Sequence, residues 1–204
     1  MSDNKLLLAT TNAGKIAELG RLLSGRGIEV LGLGDIDCAN QEPPEENGNS
    51  YCENALIKAT CWQARSGLPT LADDSGLAVD WLGGAPGIYS SRFAGENATD
   101  QLNNELLLKK LEGVESADRT AAFHCCLALC GPVGQPLTFS GRADGIILSQ
   151  PAGEGGFGYD PLFYYPPLKK SFAQLAPAEK NSVSHRARAL QAFLSWLETA
   201  TLKG

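Results

Sequence analysis

The order of apolar and polar positions in this chain alternates between strand-like and helix-like spacing. Lys5 to Thr10 is a short apolar strand with small residues at its exit, and Thr11-Asn12-Ala13-Gly14 reads as a turn. From Lys15, apolar residues at Ile16, Leu19, Leu22 and Leu23 form a helical stripe that stops near Gly25. Glu29 to Leu33 predicts a second strand. Gly34 to Asn49 is polar, with Pro43-Pro44 and three glutamates, and predicts a long exposed loop of a kind that often carries function. Ser50-Tyr51-Cys52-Glu53 has the S-x-x-E form of a capping box. The helix it opens carries Ala55, Leu56, Ala59 and Trp62 and ends by Gly67-Leu68-Pro69.

Thr70 to Ala72 predicts a short strand that runs into Asp73-Asp74-Ser75-Gly76 at its end. Leu77 to Val79 and a Gly/Pro-rich loop at Gly83 to Gly87 come next. A helix from about Thr99 has Leu102, Leu106, Leu107 and Leu111 on one side, with Gly113 after it. The second half turns to β: Thr120 to Gly131 and Leu137 to Arg142 read as a hairpin with a longer loop, and Ala143 to Leu148 as another strand. A glycine cluster, Gly153 to Gly158, leads into Tyr159-Asp160-Pro161 and an aromatic strand. A final helix from about Ser184 carries Leu190, Phe193, Leu194 and Leu197. The order is α/β, with no internal repeat and no linker of domain-separating composition. It predicts one domain over residues 1–204, with two lobes around a cleft.

Composition narrows the function classes. The 204 residues hold 17 basic and 23 acidic side chains, a net charge of −6. A broad basic face for nucleic acid polymers is therefore not expected, and phosphates would have to be met by a few placed cations. The longest nearly uncharged apolar run, Ala121 to Gly131, falls well short of the roughly 20 residues of a membrane span. The N-terminus, with one Lys before Leu6-Leu7-Leu8, does not read as a signal peptide. The six cysteines (Cys38, Cys52, Cys61, Cys125, Cys126 and Cys130) show no C-x-x-C pair, and the reading favours buried reduced thiols over a zinc site or disulfides. The chain is expected to be cytoplasmic and to have no membrane partner.

Five segments carry candidate chemistry. Thr10-Thr11-Asn12-Ala13-Gly14-Lys15 joins a strand to a helix start, where backbone N–H groups and the dipole favour an anion. A lysine in a first helical turn lacks a dipole reason to be there; a phosphate supplies one, and an ordinary surface lysine is the alternative. Asp73-Asp74 offers two carboxylates that at a strand terminus would both reach a divalent ion or a water, the alternative being a solvated turn. Glu45-Glu46 lies in the long loop before the helix that carries Lys58, and matters only if the fold brings it to Asp74. Gly155 to Asp160 sets glycines around aromatics, which suits close backbone approach and base stacking, or equally a turn packed into the core. Ser184-His185-Arg186, shortly after Lys180, fits contacts to carbonyl oxygens or phosphates, whereas His124 sits in an apolar strand and reads as core.

Together these segments resemble the inosine triphosphate pyrophosphatase family, whose members hydrolyse (d)ITP and XTP. The resemblance rests on Thr10 to Lys15, Glu46-Asn47-Gly48-Asn49-Ser50-Tyr51 with Glu53-Asn54-Ala55, and Ala72 to Leu77. It continues through Gly83 to Ser90, Gly156 to Pro161 and Ser184 to Arg186, in this order and over nearly the whole chain. It implies an elongated mixed sheet flanked by helices, a cleft between two lobes, a homodimer and dependence on Mg²⁺. It also implies roles. Thr10, Thr11, Asn12, Ala13, Gly14 and Lys15, with Lys58, match the phosphate contacts. Asp74 matches the proton acceptor and metal carboxylate, supported by Asp73, with Glu46 or Glu45 as the second metal ligand. Ser75, Phe157, Gly158, Tyr159, Asp160, Lys180, His185 and Arg186 match the nucleotide contacts. Thr11 departs from the family, where many relatives have glycine, and would be strained if that position required positive φ.

Overall fold

Alternation along the first strand already dictates two packing layers. In a computed structural model that describes residues 5–23, 27–36, 41–131 and 134–199, β1 (Lys5–Leu8) points Leu6 and Leu8 to one face and Leu7 to the other. Leu6 and Leu8 join Leu19 and Leu23 of α1 (Ala13–Leu23) and Leu190, Phe193 and Leu194 of α5 (His185–Thr199). Leu7 and Ala9 meet Ala55, Ala59 and Trp62 of α2 (Tyr51–Ser66) on the other face. Each fully buried leucine contributes about 1.5–3 kcal/mol of apolar burial. Helices on both faces suit the parallel pairing of β1 with β2 (Glu29–Gly32) and with β3 (Thr70–Val79).

The sheet has seven strands in the order β2-β1-β3-β4-β5-β6-β7. Its later members are β4 (Thr120–Cys130), β5 (Leu137–Ile147), β6 (Phe163–Tyr165) and β7 (Lys170–Ser171), with β5–β6 and β6–β7 antiparallel. The remaining helices are α3 (Asp100–Lys110) and α4 (Pro177–Val183). The chain forms two compact units: residues 1–74, 125–141 and 187–204, and residues 75–124 and 142–186. The second unit has its own core, in which Phe123, Phe163 and Phe172 pack with ring centroids 4.6 to 5.8 Å apart, beside Leu77, Leu107 and Leu111. No helix of the described residues is long and apolar enough to cross a membrane.

Three expectations are corrected. Asp73 to Gly76 is not the end of a strand, because β3 runs unbroken through it from Thr70 to Val79. Arg142 and Ala143 likewise lie within one strand, β5. In both cases glycine and charged residues read locally as breaks, while sheet neighbours on either side hold the backbone extended. The third correction concerns the cysteines. Cys52 in the first turn of α2 and Cys126 in β4 form a disulfide across 74 residues, with Cα atoms 5.1 Å apart, whereas Cys61, Cys125 and Cys130 keep their thiols. No sequence spacing announces a bond between a helix start and a central strand. Cys38, Gly25 and part of the 132–136 loop lie outside the described residues.

Candidate functional site

The turn after β1 is built by local hydrogen bonds. Asn12 caps α1: its side-chain oxygen accepts the Lys15 N–H (3.1 Å), its carbonyl accepts the Ile16 N–H (3.0 Å), and the Thr10 hydroxyl oxygen accepts the Asn12 N–H (3.2 Å). Among the described residues the one non-glycine with positive φ is Lys169, so Thr11 sits in ordinary backbone. Lys15 reaches from this first turn to Asp73, and the two form an ion pair. An acidic partner on β3 thus holds the lysine at this helix start.

Side-chain alternation on β3 separates the adjacent carboxylates. Asp73 is buried against Lys15 and accepts a hydrogen bond from the Cys125 thiol (3.4 Å). Asp74 meets α2 instead: Lys58 Nζ lies 3.2 Å from Oδ1 and the Asn54 amide 3.4 Å from Oδ2. A continuous strand therefore gives the two aspartates different partners, contrary to the expectation of a shared strand terminus.

The acidic loop is seated on the start of α2. The Ser50 hydroxyl oxygen accepts the Glu53 N–H, Glu53 accepts the Asn49 N–H (2.7 Å), and the buried Asn54 accepts the Gly48 N–H (2.8 Å). This seat brings Glu46 within 3.2 Å of Lys58 Nζ, while Glu45 points to solvent. Gly48 has no room for a side chain, since a Cβ there would lie 2.7 Å from Glu53 Cβ and 2.8 Å from Asn54 Oδ1. Gly48→Ala is expected to cost about 1–3 kcal/mol in urea unfolding; unchanged stability would show that the loop is not seated this way.

Lys58 thus stands between Glu46 and Asp74. Burial disfavours its ammonium, but Asp74, Glu46 and Asp73 outweigh that and hold its pKa above the ordinary lysine value. Burial raises the Asp74 carboxyl above the usual aspartate range, with Lys58 pulling back and Glu46 adding to the rise. Burial, helped by the Asp74 charge, also pushes the Tyr51 hydroxyl up to about 12. The cluster holds two lysines against three carboxylates, all oxygen donors on its acidic side. It includes no group of three His, Cys, Asp or Glu side chains, among the described residues, arranged to cage a metal alone.

The second unit assembles a different cluster. Lys180, buried on α4, forms a 2.5 Å ion pair with Asp160 and lies 4.8 Å from the Phe157 ring centroid. Asp160 also accepts the Phe157 N–H (2.8 Å), closing the glycine-rich turn on itself. A Cβ on Gly156, where φ is 75°, would collide with the Asp160 carboxylate, so this turn requires glycine. The Arg186 guanidinium lies 5.6 Å from the same Phe157 ring and donates to the Ser75 hydroxyl (3.2 Å). His185 stacks on Phe123 at 4.7 Å. Tyr159 is core: buried, it donates from its hydroxyl to the Ser90 carbonyl (2.8 Å). Gly158 is held from α3, its N–H by Asp100 (2.6 Å) and its carbonyl by Asn104 (2.8 Å). Sequence reading missed Asn54, Asp100 and Asn104, because a polar helical residue reads as surface until the tertiary partner is known.

Fold and clusters together define a mixed-sheet α/β protein that pairs lysines with buried aspartates in each of its two units. The chain belongs to the Ham1 family, whose model matches residues 6–196. It is 50% identical over 186 residues to the dITP/XTP pyrophosphatase of Geobacter sulfurreducens, covering 91% of this chain and 92% of that protein. The Yersinia pseudotuberculosis dITP/XTP pyrophosphatase is 48% identical over 198 residues, at 96% and 99% coverage. Two solved structures match: a HAM1 protein from Coxiella burnetii (TM-score 0.87, 41% identity, 96% and 99% coverage), and a nucleoside-triphosphatase, dITP/XTP pyrophosphatase, from Mycobacterium abscessus (TM-score 0.75, 44% identity, 93% and 98% coverage).

Proposed function

We propose that this protein is a nucleoside triphosphate pyrophosphatase that converts dITP, ITP and XTP to the monophosphate and pyrophosphate. Near-full-length identity to dITP/XTP pyrophosphatases supports the activity, and one observation carries the chemistry: Asp74, a buried carboxylate of raised pKa, flanked by Lys58 and Glu46. A cluster in which carboxylates outnumber lysines would repel a triphosphate. Its donors fit Mg²⁺, which favours one or two carboxylates completed by substrate phosphates and water. Asp74 and Glu46 would hold the ion, which when bound neutralises phosphate charge and polarises the phosphorus.

In this reading Asp74 orients a water and accepts its proton. The water oxygen bonds to the α-phosphorus as the bond from that phosphorus to the bridging oxygen breaks, and pyrophosphate leaves. Lys15, the N–H groups of the Asn12 to Lys15 turn and Lys58 offset the charge that moves onto the leaving group. Asp73 acts through Lys15, holding its ammonium in place. Exposed Glu45 has no part in the cluster.

The Phe157, Lys180, His185 and Arg186 cluster would receive the base. Inosine and xanthosine present a 6-oxo acceptor to these donors, whereas adenosine presents a 6-amino donor, and that mismatch leaves polar groups unpaired. Arg186→Ala is expected to lower the ratio of ITP to ATP turnover by about tenfold or more. The ratio is insensitive to the folded fraction, so an unchanged value removes Arg186 from recognition.

A pH profile tests the Asp74 assignment. Falling pH protonates a carboxyl of raised pKa early, so the acid limb of kcat/KM is expected above pH ~4, the usual aspartate value. Mg²⁺ competes with the proton, so higher Mg²⁺ should move that limb to lower pH. A limb at ~4 that ignores Mg²⁺ would contradict the assignment. A substrate panel of ITP, XTP, GTP, ATP and dTTP, with pyrophosphate and orthophosphate measured separately, tests the whole reading. Pyrophosphate from ITP and XTP is expected; orthophosphate would indicate a general phosphatase, and binding without product a nucleotide sensor. The homodimer implied by the family resemblance and the cytoplasmic location expected from the sequence form part of the same proposal.

A further inference from the structure

Contacts that hold the acidic loop beside Asp74 pass through the first turns of α2. Asn54 bridges Gly48 and Asp74, Glu53 holds Asn49, and Lys58 meets Glu46 and Asp74. Cys52 lies within this segment, and its disulfide ties the helix start to β4 at Cys126. The neighbouring β4 residue, Cys125, contacts Asp73, the partner of Lys15. β4 thus braces both aspartates' surroundings, one through a thiol hydrogen bond and the other through a covalent bond to α2.

We propose that Cys52–Cys126 is a thiol–disulfide switch that sets how firmly the Glu46–Lys58–Asp74 cluster is held, and with it the concentration of Mg²⁺ the enzyme requires. This rests on the function proposed above. The disulfide sulfur of Cys52 is the one open to exchange, because Cys52 is half-buried whereas Cys126 is buried. A dithiol reductant attacks through one thiolate at Cys52 Sγ, and Cys126 leaves as thiolate. The second thiol then attacks the mixed disulfide and releases Cys52. Two electrons and two protons pass to the protein, and the reductant departs as a cyclic disulfide. A small-molecule disulfide reverses the exchange.

Reduction frees the start of α2 from β4 but leaves the Ser50 cap and the Asn54 bridge, so the effect is graded. The tied form keeps Glu46 and Asp74 on either side of Lys58; the untied form must order them again when the cation binds, and binds it more weakly. Ordinary coupling between two sites amounts to ~5-fold or more in affinity.

The test compares the full chain, oxidised and treated with dithiothreitol, with Cys52→Ser treated in the same two ways. Thiols counted in denaturant should rise by two on reduction of the wild type and by none in the variant. Two titrations are read: Mg²⁺ dependence of ITP hydrolysis, and the rise in melting temperature with Mg²⁺ alone. Reduced wild type and both preparations of Cys52→Ser are expected to need ~5-fold or more Mg²⁺ than the oxidised wild type, with similar rates at saturation. Equal Mg²⁺ midpoints in the two redox states overturn the switch, as does a redox response that persists in Cys52→Ser. If no form releases pyrophosphate, the function proposed above falls instead, and the thermal titration decides the switch by itself.

Discussion

Asp74→Asn is expected to bind ITP within about tenfold of the wild type while losing roughly two to four orders of magnitude in kcat. The substitution keeps the volume and a donor-acceptor side chain beside Lys58 and Asn54, so the seat of the acidic loop should survive. In the proposed mechanism it removes the group that takes the proton from water and one carboxylate for the cation. Asp73→Asn offers the contrast. It weakens the hold on Lys15 without touching the proton acceptor, and should fall well short of the Asp74→Asn loss. Binding followed by calorimetry, with turnover measured alongside, separates the two. Near-normal kcat in Asp74→Asn would remove it from the chemistry.

Lys180→Met should cause the largest loss of stability. Asp160 is almost wholly buried, and Lys180 is its ion-pair partner at 2.5 Å. Removing the cation strands a carboxylate in the interior, which costs about 3–5 kcal/mol. For a chain of this size that is a fall of roughly 10 °C in melting temperature. Adding Asp160→Asn should restore part of the loss, because the amide carries no charge yet its oxygen still accepts the Phe157 N–H. If Lys180→Met melts with the wild type, the pair is not buried as described. A double variant no more stable than the single one would mean that packing, not charge, fixes the turn.

How much of this was legible in the residues varies with the range of the interaction. The helix starts at Ser50 and Thr99 were readable because a cap is a local bargain between a side chain and an N–H three residues on. The strand through Asp73 and Asp74 was read as ending there, since local composition carries no knowledge of the strands that flank it. Lys15, Asp73, Lys58, Asp74, Asp160 and Lys180 were all named as site residues, but not their pairing, which joins residues 16 to 58 positions apart. The same holds for Cys52 and Cys126, and for Asn54, whose two contacts exist only once α2 lies against β3. The net charge of −6 takes on a more local meaning. Lys15 and Lys58, named as phosphate ligands, are each already matched by a carboxylate, so in the proposed mechanism a cation that comes with the substrate adds to their charge.

That account stands on attack at the α-phosphorus, and hydrolysis of ITP in water enriched in heavy oxygen tests it directly. The products, IMP and pyrophosphate, are separated and weighed by mass spectrometry. One heavy oxygen in IMP and none in pyrophosphate is the predicted result. Label in pyrophosphate, or in released orthophosphate, would place the attack on another phosphorus and contradict the roles given to Asp74 and its neighbours.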